Sequence, residues 1–90
     1  MNISTKKKQQ LKQEAHHLKP VILIGIKGLT DAVHNEIAAA LKAHELVKIS
    51  VREHEKEDID IMSEQICGLH EAQRIQRVGH TITVWRKRKE

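Results

Sequence analysis

Gly25-Ile26-Lys27-Gly28 is the stretch of this 90-residue chain whose residue types and spacing best suit chemistry. Two glycines let the backbone turn tightly and approach a partner closely. The helical pattern that begins after Gly28 would offer free N–H groups and the positive end of a helix dipole, and Lys27 adds a charge from within the turn. A phosphate group is the ligand such a turn predicts. The spacing is not that of a nucleotide P-loop: the Lys-Ser/Thr ending is missing, and no Asp is placed for a metal ion, so ATP hydrolysis is not supported. A bare G-x-x-G string also serves as a plain turn, so its context decides the reading.

Other reactive residue types lack a pattern that chemistry requires. The seven histidines show no H-x-x-x-H or Cys-paired spacing, which argues against zinc. Glu53, Glu55, Glu57, Asp58 and Asp60 lack the Gly and terminal Glu of a calcium loop and read as a solvated acidic segment. Cys67 has no evident catalytic partner, falls in a helical pattern beside Ile66, and reads as a structural thiol. The expectation is no enzyme, no metal and no cofactor. With no Phe, no Tyr and one Trp, the core must be built from Ile, Leu, Val and Ala, which leaves no deep pocket for a small-molecule substrate. No signal-peptide pattern and no apolar run of membrane-spanning length occurs, so the expected location is the cytoplasm, with no membrane partner.

The charge is bipolar along the sequence. Residues 1–19 carry five Lys against Glu14, residues 20–73 carry five basic and ten acidic side chains, and residues 74–90 carry six basic side chains against Glu90. The formal net charge of +4 therefore hides a basic patch of +9 that would form if the fold joins the two ends. Such a patch attracts a polyanion, with salt-dependent binding.

The elements that must position these residues follow from periodicity. Ser4 or Thr5 can cap a first helix running to about Leu18, with Leu11, Ala15 and Leu18 as its apolar stripe. Lys8, Lys12, His16 and Lys19 fall within roughly 80° of one another beside that stripe and would form a basic ridge. After Pro20, the apolar run Val21 to Ile24 does not alternate, which predicts a central strand buried on both faces. Thr30 caps the next helix, on which Val33, Ile37, Ala40, Leu41 and His44 recur on one face. Val47, Ile49 and Val51 alternate with Lys48, Ser50 and Arg52, so a strand there points Lys48 and Arg52 the same way. A loop over Glu53 to Asp60 leads into a third helix carrying Ile59, Met62, Ile66 and Leu69. The chain closes with a hairpin, Gln73 to Val78 and Thr81 to Arg86 around Gly79-His80, and a basic tail over residues 87–90. The fold class is α/β: one domain spanning residues 1–90, with three helices and a small mixed four-stranded sheet in the order α-β-α-β-α-β-β. Crossovers through a helix argue for parallel strands, and the hairpin is antiparallel.

Leu18-Lys19-Pro20, the apolar strand, Gly25-x-x-Gly28-Leu29-Thr30, Leu46-Val47-Lys48, and Gly79 through Arg86 together resemble the CRM domain family (chloroplast RNA splicing and ribosome maturation). The likeness is to its single-domain bacterial YhbY-like members and covers nearly the whole chain in the same order. The resemblance implies a fold similar to the C-terminal domain of translation initiation factor 3, RNA binding through the loop Gly25, Ile26, Lys27, Gly28 and nearby basic residues, and association with large-subunit ribosomal RNA precursors. It implies no catalysis and no cofactor, and it adds Arg86 near the end of the last strand. The chain departs from the family pattern at Trp85, where a Tyr is usual, and at His70-Glu71-Ala72, where a Gly commonly precedes the Ala.

A single tryptophan cannot supply a row of stacking platforms, so contacts to phosphate and 2′-hydroxyl groups of structured RNA are expected to dominate. Trp85, out of phase with Ile82 and Val84, either offers one stacking surface or packs under the first helix or the tail. The expected RNA-binding residues are Gly25, Ile26, Lys27, Gly28, Lys8, Lys12, Lys19, Lys48 and Arg86, in a monomer. Two other classes fit the composition: a general DNA or RNA binder of the Alba-like kind, which would bind duplex DNA equally well, and a protein interaction module with an acidic partner.

Overall fold

The computed structural model of the chain describes residues 3–87; Arg88 and Lys89 of the basic tail lie outside the described residues. Three helices, α1 (Thr5–Ala15), α2 (Asp31–Ala43) and α3 (Lys56–His70), and four strands, β1 (Ile22–Ile24), β2 (Leu46–Val51), β3 (Gln73–Val78) and β4 (Thr81–Trp85), follow one another in the predicted order. The sheet runs β1-β2-β4-β3. β1 pairs with β2 in parallel, and β4 is antiparallel to both of its neighbours. β2 and β3 thus point the same way, as a helical crossover requires, but β4 inserts between them.

Side-chain alternation on β2 divides the molecule into layers. Val47, Ile49 and Val51 join Ile82 and Val84 of β4 in one buried cluster with Val33, Ile37 and Leu41 of α2 and Ile59 and Ile66 of α3. Lys48 points to the opposite face, where its Nζ donates to the Ala15 carbonyl of α1 at 3.1 Å. Leu11 and Ala15 of α1, with Ile75 of β3, are buried outside the main cluster. The sheet therefore lies between α2 and α3 on one side and α1 on the other.

Two sequence expectations are corrected here. The apolar strand is at the sheet edge, not its centre, and only one of its faces is buried: Ile22 and Ile24 are in the core, while Leu23 is 49% exposed. Its apolar run reflects a second face that no helix covers. α1 also ends at Ala15, short of Leu18, because the Lys48 ammonium caps its carbonyl end and suits the helix dipole there. Lys19 therefore stands outside the helix, and the expected four-residue basic ridge is reduced to Lys8 and Lys12 on α1 with His16 at its cap.

Local signals explain the remaining boundaries. Ser4 Oγ accepts from the Lys7 N–H, and Thr30 Oγ accepts from the Val33 N–H. α3 begins at Lys56, inside the segment expected to be a loop, since Glu57 and Asp58 favour a helix N-terminus. It ends where Glu71 takes a left-handed conformation (φ 53°, ψ 42°) and the Ala72 N–H reaches the Cys67 carbonyl. β3 contains a bulge at Ile75, with Arg74 opposite Val84 but Gln76 opposite Thr83. The extra residue puts Arg74 and Arg77, three positions apart, on the same face. Both donate to Asp60 Oδ1 of α3, at 3.2 and 2.7 Å.

Candidate nucleic-acid interface

β1 runs directly into the Gly25–Gly28 turn, which the Gly28 N–H closes by donating to the Gly25 carbonyl at 3.0 Å. The same carbonyl is 2.9 Å from Nε2 of His54, a ring N–H contact from the loop after β2. Gly28 is buried, with φ of 72°, and a Cβ there would stand 3.6 Å from Met62 Cε. Gly25 differs: its φ is not positive, and a Cβ would meet nothing within 4 Å. The fold thus needs glycine at Gly28 for conformation but makes no such demand at Gly25. At the turn's apex Ile26 is 71% exposed, and Lys27 is exposed with no ion pair among the described residues.

The start of α2 contributes less to anion binding than its sequence suggests. Thr30 Oγ already takes the Val33 N–H, and Asp31 places a carboxylate in the first turn. The positive charge at this end of the sheet therefore comes from Lys27 and from Arg52, which follows β2. The Arg52 N–H donates to the Ile24 carbonyl at 2.9 Å, tying it to the base of the turn, and its side chain is exposed. Alternation correctly puts Arg52 on the same face as Lys48, but only the pairing of β1 with β2 shows that it adjoins the Gly-x-x-Gly turn. Sequence alternation alone therefore gives no ground for counting Arg52 among the contact residues.

The other expected residues are dispersed. Lys19 lies on the open face of the sheet beside β1. Lys48 faces the same side, with its ammonium engaged by α1. Lys8 and Lys12 are half-buried on α1. Arg86 is at the opposite end of the sheet from the turn: its N–H donates to the Glu45 carbonyl just before β2, whereas the turn adjoins the far end of β2. A six-residue strand separates them by about 17 Å.

Arg86 is also committed within the fold. Its Nη1 donates to the His70 carbonyl at 3.1 Å, beside a contact of 3.0 Å between His34 Nδ1 and His70 Nε2. That contact requires one ring nitrogen with a proton and one without. Burial first, then the charges of His34 and Arg86, hold the His70 pKa below the usual histidine range. Burial likewise pushes the half-buried Cys67 thiol upward, as befits a structural residue.

The two basic chain ends do meet, at that same distant end. The Ile3 N–H donates to Gln73 Oε1, and Lys7 Nζ lies 5.6 Å from the centre of the Trp85 ring. Trp85 accordingly packs near α1. Of the charges summed in the expected +9 patch, Arg88 and Lys89 lie outside the described residues, and Arg74 and Arg77 are both bound by Asp60. Among the described residues, no three His, Cys, Asp or Glu side chains are grouped to hold a metal ion, and no helix is long and apolar enough to cross a membrane.

Residues 3–86 match the family model of the CRS1 / YhbY (CRM) domain. The chain belongs to the CRM domain family. A Haemophilus influenzae protein named RNA-binding protein is 40% identical over 88 residues, covering 98% of this chain and 89% of that one. A Bacillus subtilis protein named probable RNA-binding protein YqeI is 35% identical to this CRM domain over 88 residues, covering 98% of this chain and 92% of that one. The solution structure of SAV1595 from Staphylococcus aureus superposes with a TM-score of 0.86 at 26% identity, covering 99% of this chain and 93% of that one. In this CRM domain the glycine turn lies at one end of the sheet and the chain ends meet at the other.

Proposed function

We propose that this CRM domain is a non-catalytic RNA-binding protein that associates with structured ribosomal RNA, in large-subunit precursors, through the Gly25–Gly28 turn. On this reading it acts as a cytoplasmic monomer without a cofactor. The observation that carries the proposal is Gly25: an exposed glycine with room for a side chain and no positive φ is explained by a partner that comes against the backbone. Lys27 and Arg52 supply charge beside it, His54 and the Gly28 N–H hold its carbonyl in place, and relatives over nearly the full chain are named RNA-binding. Lys19, Lys48, Lys8 and Lys12 extend the surface across the α1 side of the sheet. Arg86 serves mainly to join β4 to α3.

The test is fractionation of a cell extract on a sucrose gradient, with nuclease and salt controls. The protein is expected in large-subunit precursor fractions at low salt and to leave them with nuclease or high salt. Absence from those fractions at low salt overturns the ribosomal assignment. In binding assays with purified RNA, Lys27→Ala should lower affinity several-fold and reduce the salt-dependence slope by roughly one contact. An unchanged slope and affinity removes Lys27 from the interface.

A further inference from the structure

The face of β1 that no helix covers forms an open groove of about 460 Å³. Its floor is apolar, from Pro20, Val21 and Leu23, with Val21 63% and Leu23 49% exposed. Ser50, opposite Leu23 on β2, also lines it. Lys19 and Arg52 stand on the lining as well, neither of them in an ion pair among the described residues. Of the other exposed large apolar side chains, Leu18, Ile26, Ile61, Leu69 and Val78, Ile26 belongs to the turn itself, and Ile61 and Leu69 lie on α3 with Glu57, Asp58 and Glu64, a setting that repels a polyanion.

We infer that this groove binds one unpaired nucleotide of the RNA held at the Gly25–Gly28 turn; the inference rests on the RNA-binding reading of that turn. A nucleotide has the matching chemistry: a flat apolar base for the floor, polar base edges for the Ser50 hydroxyl, and phosphates on either side for Lys19 and Arg52. The groove is continuous with the proposed interface, since β1 passes from Leu23 to Gly25 with only Ile24 between. A paired base hides its faces in the helical stack, so the groove favours RNA with an unpaired position beside a duplex. This gives a chain with one tryptophan a way to read single-stranded character without an aromatic platform.

The test compares a fully paired RNA hairpin with the same hairpin carrying a short single-stranded uridine extension. The extended hairpin is expected to bind about tenfold more tightly, and the methyl NMR signals of Val21 and Leu23 should shift with it and not with the paired one. Leu23→Ser should remove the tenfold difference while the paired hairpin binds as before; an unchanged melting temperature confirms the fold. Should that variant unfold, Ser50→Ala is the second probe, expected to narrow the difference several-fold. Equal affinity for the two hairpins, with turn amides shifting but Val21 and Leu23 unmoved, overturns the groove and leaves the turn's role intact. Failure of both hairpins to shift the turn amides overturns the RNA reading and the groove with it. Broadening of Val21 and Leu23 signals with protein concentration, without RNA, assigns the face to a second copy of the chain and overturns the inference.

Discussion

Ser63 is 1% exposed, and its hydroxyl is the buried side-chain oxygen without a hydrogen-bond partner among the described residues. A buried hydroxyl in that state has lost water and gained nothing, and serine is also a poorer helix former than alanine. Ser63→Ala should stabilise the protein by about 1 kcal/mol, visible as a melting temperature several degrees higher; a drop would mean that the hydroxyl has a partner in solution. Glu71 presents a different local cost. A left-handed residue with a Cβ is strained by about 1 kcal/mol, and this is the position where the resemblance led one to expect glycine. Glu71→Gly should therefore recover up to about 1 kcal/mol in a denaturant titration, less whatever the glutamate contributes through its own interactions. The departure from the family pattern is thus a departure in stability at one helix end.

Among the elements, the glycine turn separates two residues that look equivalent in the string. Gly28→Ala must force a side chain into φ 72° and should cost about 1–2 kcal/mol of stability. Gly25→Ala should leave the melting temperature unchanged and weaken RNA binding, so it isolates function from folding. The junction of α2, α3 and β4 carries the pH response. Because the His70 pKa is lowered in the fold, the unfolded chain binds more protons just below the ordinary histidine value. Stability should be fully present above pH of about 6.5 and fall as pH drops through the folded pKa; His70→Gln should flatten that dependence. The elements themselves were largely legible. α2 announced itself by the Thr30 cap and the spacing of Val33, Ile37 and Leu41, and β2 by strict alternation. β1 was not legible in its place, because a short apolar run looks the same whether a second face is covered or merely open. The bulge at Ile75 left no signal, since Arg74 and Arg77 reveal a shared face only once Asp60 is seen between them.

Over the whole molecule, the candidate site was half visible in the sequence. The turn was read from its own residues, but the other basic residues could be grouped only by knowing which strand lies beside which. The structure divides them between two ends of the sheet, with Lys27 and Arg52 at one and Lys7 and Arg86 at the other. Arg86→Ala should accordingly cost about 1–3 kcal/mol of stability, by leaving the His70 carbonyl without its charged donor, with little change in RNA affinity measured well below the melting temperature. A loss of affinity without a loss of stability would bring Arg86 into the interface. The strand order has a further consequence, for how the chain acquires its shape during synthesis. β4 is the last of the four strands to be made, yet it fills the gap between β2 and β3 and pairs with both. Until Thr81–Trp85 emerges from the ribosome, β3 has no neighbour and β2 has only the three-residue β1. Cooperative folding of the sheet must therefore wait until β4 has emerged, with β2 and β3 exposing unpaired edges in the interval.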